Sequence, residues 1–244
     1  MVNTAYTDDQ YHESYPPGIE HYFWHVARHR ILYRELRRIG DGTMPPGRVL
    51  EIGCGRGIVV RFMRNSGIAY FGTELSPVQV DPDLAPYIEA NRDCFDLPAE
   101  IRAEVECLML LDVIEHLPQP VAFMRRLRES FSGLRSIVVT VPARAELWSS
   151  YDTHYGHFRR YTIESAVAEL SGAGFVAVRA RYFFHGLYPI MFGLAKLSGQ
   201  RFTTMTAPRR RWLHRVIGGY FVAESLAIPA CIWGTSVLCT ARTG

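Results

Sequence analysis

The sequence has few cysteines, and they lie far apart. The five are odd in number and include no Cys-x-x-Cys pair: Cys54, Cys94, Cys107, Cys231 and Cys239. This pattern argues against a disulfide framework and a zinc site, and it favours a reducing compartment. The formal net charge of +3 over 244 residues is also small, so it gives no support for the basic face of a nucleic-acid-binding protein. We therefore predict a cytoplasmic protein with no nucleic-acid partner.

We expect neither a leader nor an uninterrupted membrane span in this sequence. The first twenty residues are polar and contain prolines, without a positively charged start and an apolar stretch, so we expect no signal peptide. Residues 218–239 carry a single charge and are about long enough to cross a bilayer, but Pro229 and Gly234 interrupt them. We expect a buried helix followed by a core strand there.

Length and patterning predict one α/β domain. Apolar residues make up 48% and charged residues 21% of the chain, as in globular proteins. We expect a lead-in over 1–19, an N-terminal helix and linker over 20–47, and a core over 48–184. In the core, short apolar strands alternate with helices, which indicates a doubly wound, mostly parallel sheet. A helical insertion over 185–230 precedes a last strand within 231–244. Prolines argue against a long helix between residues 76 and 90.

A glycine-rich loop follows the first predicted strand. Residues 51–57 read Glu-Ile-Gly-Cys-Gly-Arg-Gly. Gly53, Gly55 and Gly57 let the backbone approach a ligand closely and point free N–H groups at it. A dinucleotide-binding loop would instead read Gly-x-Gly-x-x-Gly. With Glu51 in the preceding strand, the loop favours S-adenosylmethionine, which has no pyrophosphate and whose amino acid portion is cationic.

Two acids after later strands extend the predicted cofactor pocket. Glu74 ends the next strand, where an acid roughly 20 residues after the loop can accept hydrogen bonds from ribose hydroxyls. Asp96, followed by Leu97, comes after the presumed third strand. It is placed either to reach the adenine amino group or to start a turn.

The loop after the fifth predicted strand holds candidates for chemistry on a methyl acceptor. Residues 152–161 read Asp-Thr-His-Tyr-Gly-His-Phe-Arg-Arg-Tyr. We predict that His157 acts on the acceptor, as a base if the acceptor is a hydroxyl, because a histidine can take a proton near neutral pH. Tyr161 and His154 are further catalytic candidates, and His116 is another unless it only bonds backbone. A purely structural role in fixing this loop stays open for them.

Three histidines of the N-terminal helix raise the question of a metal. His21, His25 and His29 stand at i, i+4 and i+8, a spacing capable of metal binding. No carboxylate or thiolate accompanies them in the pattern. We therefore predict a polar helix face and no metal site.

Three segments resemble the class I S-adenosylmethionine-dependent methyltransferase superfamily. They read Leu-Glu-Ile-Gly-Cys-Gly at 50–55, Asp-Val-Ile-Glu-His-Leu at 112–117 and Gly-His-Phe-Arg-Arg-Tyr-Thr at 156–162. Over about residues 20–241 the chain is similar to a group of small-molecule methyltransferases that share them. The resemblance implies a seven-stranded sheet with a final antiparallel strand, and an N-terminal helix that closes over the cofactor. The predicted cofactor-binding residues are Arg28, Glu51, Gly53, Cys54, Gly55, Gly57, Glu74, Asp96, Leu97, Asp112 and His116.

These features predict a methyltransferase acting on a small molecule. S-adenosylmethionine would give its methyl group to a hydroxyl or amine of a sugar or natural-product scaffold, leaving S-adenosylhomocysteine. The alternative is a catalytically silent binding or assembly module with the same fold; an NAD(P)-dependent oxidoreductase is disfavoured by the glycine spacing. We expect the insertion to cap the substrate pocket or to form a homodimer surface. Contact with a membrane surface or a lipid-linked acceptor is a weaker alternative.

Overall fold

A mixed sheet of seven strands forms the centre of the computed structural model, which describes residues 10, 13–39, 47–198 and 206–244. The strands are β1 (Arg48–Ile52), β2 (Tyr70–Glu74), β3 (Ile88–Ala90), β4 (Val105–Leu111), β5 (Ser136–Pro142), β6 (Phe175–Phe183) and β7 (Ser236–Thr243). Their order is β3-β2-β1-β4-β5-β7-β6, and β7 runs antiparallel to both of its neighbours. The predicted doubly wound fold with a final antiparallel strand is therefore confirmed.

Helices cover both faces of this sheet. They are α1 (Phe23–Ile39), α2 (Ile58–Asn65), α3 (Ala99–Glu104), α4 (Pro120–Ser130), α5 (Ser150–His154), α6 (Ile163–Gly172), α7 (Leu187–Ser198) and α8 (Arg211–Ala227). Strand β4 is apolar except for Glu106, as expected of a strand buried on both faces. Leu108 and Leu110 pack into one core cluster, and Cys107 and Met109 into the other.

Local sequence explains most of the element boundaries, with two differences from prediction. Helix α6 begins where the Thr162 side chain accepts a hydrogen bond from the Ser165 backbone. The N-terminal helix begins at Phe23, later than predicted, because residues Ile19–His21 form a separate 3₁₀ turn. Strand β3 has only three residues, too few for an apolar run to reveal it. The stretch before it holds a 3₁₀ turn at Ala85–Tyr87, and a long helix is absent from these described residues.

The two insertion helices lie between β6 and β7, and α8 packs against α1. The rings of Phe23 and Phe221 stack with centroids 5.5 Å apart. Among the described residues, no helix is long and apolar enough to cross a membrane. Side chains at Trp212, Val216 and Tyr220 form an exposed apolar stripe along α8. Its contact with a second copy of the chain or with a membrane surface remains a prediction.

Some predicted segments lie outside the described residues. These are most of the lead-in, at 1–9 and 11–12, the linker over 40–46, and the middle of the insertion over 199–205.

Candidate active site

The glycine loop leaves the carboxyl end of β1 in a conformation that only glycine adopts readily. The φ angles of Gly53, Gly55 and Gly57 are 75°, 55° and 79°, in the left-handed region that other residues avoid. The backbone N–H groups of Gly53 and Cys54 donate to the Thr73 carbonyl on β2 at 2.9 and 3.2 Å. The loop is therefore fixed in a left-handed conformation that brings backbone without side chains to the sheet edge.

Glu74 holds the same loop from β2. Its buried carboxylate accepts hydrogen bonds from the backbone N–H of Gly55 at 2.9 Å and of Ser76 at 3.0 Å. The acid predicted to bind ribose hydroxyls is thus next to the predicted cofactor loop. The Cys54 side chain packs against Gly72 on β2.

A buried cluster of charges lies where β1 and β4 end. The Arg28 guanidinium reaches across from α1, 2.6 Å from Asp112 and 3.0 Å from the Thr140 hydroxyl. It lies over the Trp24 ring, with 4.7 Å between the guanidinium carbon and the ring centroid. Arg28 was predicted to bind the cofactor, and here its charge is already paired with Asp112.

Glu51 is buried beside this pair. One of its carboxyl oxygens has no hydrogen-bond partner among the described residues. Burial raises the pKa of the Glu51 carboxyl to about 8, against the opposing effect of the Arg28 guanidinium. A buried carboxyl with one unbonded oxygen beside the glycine loop fits the cationic amino group of S-adenosylmethionine.

Tyr15, which the sequence did not single out, fills the space beside the loop. A Cβ atom on Gly55 would lie 2.7 Å from the Cζ carbon of this ring. Burial raises the pKa of the Tyr15 phenol, and the nearby carboxylates Glu74 and Glu51 raise it further. A ligand that approaches the Gly55 backbone therefore has to displace the Tyr15 ring.

Neighbouring residues of the same segment bind the loop after β5. Glu13 pairs with His154 at 3.0 Å, and the Ser14 hydroxyl donates to the Tyr155 hydroxyl at 3.0 Å. His154, predicted to be catalytic, thus ties the N-terminal segment to α5. No sequence signal links these residues, because their contacts cross about 140 positions of chain.

His157 is held by a buried carboxylate in that loop. Its Nδ1 lies 2.9 Å from Asp152, which also receives two hydrogen bonds from Arg160, at 2.8 and 2.9 Å. Although burial opposes it, the hydrogen bonds from His157 and Arg160 hold the pKa of the Asp152 carboxyl at about 2. Asp152 is therefore a fixed anion that orients the His157 ring.

The segment over residues 112–117 after β4, which was predicted to contact the cofactor, meets this loop. The rings of His116 and His157 lie edge to face with centroids 4.6 Å apart, and the Phe158 N–H donates to the Glu115 carbonyl at 2.8 Å. Burial lowers the pKa of His116 to about 4. Glu115 is fully buried, and neither of its carboxyl oxygens has a hydrogen-bond partner among the described residues. Sequence analysis missed Glu115, although it lies in a segment that the family resemblance marked.

Other residues predicted to belong to the site do not lie at the contact between His116 and His157. Tyr161 is 1% exposed, and its hydroxyl donates to Glu169 at 3.0 Å, so the phenol ties α6 into the core. Asp96 is exposed at the end of a 3₁₀ turn, and that turn is started by Asp93, whose side chain accepts from the Phe95 N–H. Leu97 is buried next to it.

The helix histidines differ from the prediction of a polar face. His25 and His29 are buried, and burial lowers the pKa of each. His21 lies outside α1, in the preceding 3₁₀ turn, so the three do not share one helix face.

Known proteins that are similar in sequence to this chain are methyltransferases. A family model described as a methyltransferase domain matches residues 23–180. A probable S-adenosylmethionine-dependent methyltransferase of Mycobacterium tuberculosis is 28% identical over 175 residues, covering 69% of this chain and 61% of the relative. A ubiquinone biosynthesis O-methyltransferase of Xanthomonas campestris is 27% identical over 90 residues, covering 34% and 38%. The chain thus spans less than two thirds of the length of either relative.

Solved structures share the fold. The phosphoethanolamine N-methyltransferase 2 of Haemonchus contortus, solved with phosphomonomethylethanolamine and S-adenosylhomocysteine, aligns with a TM-score of 0.54 at 14% identity, covering 87% of this chain and 52% of that one. The family match covers more than half of the sequence. The chain therefore belongs to the methyltransferase-domain family of the class I superfamily, whose methyl donor is S-adenosylmethionine.

Proposed function

We propose that this chain transfers the methyl group of S-adenosylmethionine to a hydroxyl or amine of a small molecule, such as a sugar or natural-product scaffold. The observation that carries the proposal is the contact between His157 and His116. It joins the loop after β5 to the segment over residues 112–117 after β4, at the carboxyl edge where α/β sheets bind ligands.

Methyl transfer from a sulfonium is an in-line displacement, so the main task of the protein is to align the acceptor with the methyl group and to exclude water. A hydroxyl acceptor must also lose its proton. The Nδ1 of His157 donates to Asp152, so Nε2 would be the atom that takes the proton from a hydroxyl acceptor. An amine that arrives neutral needs only alignment, and both acceptor types therefore belong to the proposal. The comparison proteins include one named as an O-methyltransferase and one named as an N-methyltransferase.

The test is an acceptor screen read by mass spectrometry, with sugars, phenols, carboxylates and amines as candidates. We expect one acceptor class to gain the mass of one CH₂ group. For a hydroxyl acceptor, His157→Ala should lower turnover by roughly 10² or more while cofactor affinity stays nearly intact. His21→Gln, a histidine outside the site, is the matched control.

If His157→Ala turns over within a few-fold of wild type, His157 is not the base, and an amine acceptor is favoured. If S-adenosylhomocysteine binds but every acceptor class keeps its mass, the silent binding module becomes the better description.

A further inference from the structure

Near His157, the carboxyl group of Glu115 is buried without a group that would balance a negative charge. Glu115 lies in the 3₁₀ turn Ile114–His116, fully buried, with neither carboxyl oxygen bonded among the described residues. A buried carboxylate without a partner is costly, so the group needs either a proton or a cation. The neighbouring guanidinium groups are committed elsewhere, Arg28 to Asp112 and Arg160 to Asp152.

The two adjacent histidines are oriented as metal ligands usually are. Histidines that bind a metal through one ring nitrogen commonly donate the other to a carboxylate or backbone carbonyl. His157 is held by Asp152 through Nδ1, and His116 hydrogen-bonds the backbone carbonyl of Tyr155. A neutral imidazole that donates from one ring nitrogen carries a lone pair on the other, which is the atom that can bind a metal.

We propose that Glu115, His116 and His157 bind a divalent transition-metal ion at the acceptor side of the cofactor pocket. Their ligand atoms all lie within 4.8 Å of one another. Atoms bound to one ion at about 2.1 Å are at most about 4.2 Å apart, so small side-chain rotations close the site. Two imidazoles and a carboxylate suit zinc, iron, cobalt or manganese, and three protein ligands leave positions open for water or acceptor.

The use of the ion rests on the proposed function. An acceptor hydroxyl that binds an open position has its pKa lowered by the metal and releases its proton to water. The oxygen then forms its bond to the methyl carbon as the carbon–sulfur bond breaks, and the sulfonium becomes a neutral thioether. When the ion is bound, His157 is a metal ligand and not a base, because the ion lowers the pKa of the hydroxyl and the proton goes to water.

Metal binding can be measured without any acceptor. The full chain, free of affinity tag and stripped with a chelator, is titrated with Co²⁺ and, separately, with Zn²⁺. We expect one ion per chain, with visible d–d absorption for Co²⁺. Glu115→Gln and His116→Asn should abolish this site, and Asp152→Asn should weaken it by about 10- to 100-fold. His21→Gln should bind like wild type, and circular dichroism checks the fold of each variant.

Absence of stoichiometric binding by the stripped wild type would overturn the inference. So would wild-type affinity in both folded ligand variants, because the ion would then bind elsewhere. Titration of the same samples with S-adenosylhomocysteine separates the two proposals. If the protein binds the cofactor but no ion, only the proposed metal site is rejected. If it binds the ion but not the cofactor, the proposed methyltransferase function is rejected.

Discussion

At the scale of single residues, the buried carboxyl of Glu51 leads us to predict that cofactor binding depends on pH. Its pKa of about 8 leaves it protonated in the free protein at neutral pH; burial and the nearby Glu74 and Asp112 raise it, and Arg28 and Tyr70 oppose them. A cationic amino group binds the carboxylate, so binding below pH 8 must release this proton. We expect affinity for S-adenosylhomocysteine to rise by up to about tenfold per pH unit from pH 6 and to level off near pH 8.

Calorimetric titrations across this range test the link. Glu51→Gln should bind more weakly and lose this dependence on pH. A wild-type affinity that stays constant between pH 6 and pH 8 would contradict the assignment.

Glu74 offers a second test, because its carboxylate is shared between the loop and the predicted ribose site. Glu74→Ala removes the acceptor for the Gly55 and Ser76 N–H groups and for the ribose hydroxyls. Cofactor binding should weaken by about 1.5 to 3 kcal/mol. The control is Glu89→Ala on β3, an exposed acid that pairs only loosely with Arg92, at 3.5 Å. Equal dissociation constants for wild type and Glu74→Ala would show that Glu74 does not bind the cofactor and only holds the loop.

Single residues also mark where sequence reasoning stops. The closeness of Gly55 and Glu74 could be predicted, because it follows from spacing along one strand-loop-helix unit. Tyr15 and Glu115 could not, since the first meets the loop only after the chain folds back and the second is defined by its burial. The Asp152–His157 pair is intermediate: the sequence located the histidine but did not say which group would hold it.

At the scale of elements, the contact between α8 and α1 depends on one glycine. A Cβ on Gly218 would lie 2.8 Å from Val26 Cγ1 and 3.1 Å from the Phe23 carbonyl oxygen, whereas one on Gly219 would meet nothing within 4 Å. Gly218→Ala should therefore destabilise the protein by about 1 to 3 kcal/mol through overpacking. Gly219→Ala should stabilise it by about 0.5 to 1 kcal/mol, because alanine is the better helix former.

Thermal unfolding compares the two adjacent substitutions, at about 2 to 4 °C per kcal/mol for a chain of this size. If both variants shift in the same direction by the same amount, the close packing of α8 on α1 is not present in solution. Since α1 carries Arg28, Gly218→Ala tests an element that reaches the site.

Helices and strands with a clear hydrophobic or capping pattern in the sequence could be predicted, and those without one could not. The apolar run of β4 and the capped helix α6 follow from local sequence. Strand β3 is too short for a pattern, and the burial of His25 and His29 comes from packing that helical spacing does not reveal.

At the scale of the whole molecule, topology brings the loops after β1, β4 and β5 to one edge of the sheet. The alternation of strands and helices predicts this arrangement, because parallel strands with right-handed crossovers have their carboxyl ends together. It does not predict that residues 13–15 cross that edge, since their contacts form only between segments distant in sequence. The meeting of these three loops is therefore predictable from the sequence, and the contacts of residues 13–15 are not.

The central claim is that the loop over residues 53–57 binds the methyl donor, and calorimetric titration with S-adenosylhomocysteine tests it most directly. We predict one saturable site in the wild type, no binding of NAD⁺, and no measurable binding by folded Gly55→Val. Valine there would be strained at a φ of 55° and would occupy the space that the ligand needs. Wild-type protein that fails to bind S-adenosylhomocysteine, or folded Gly55→Val that binds it with unchanged affinity, would contradict the account.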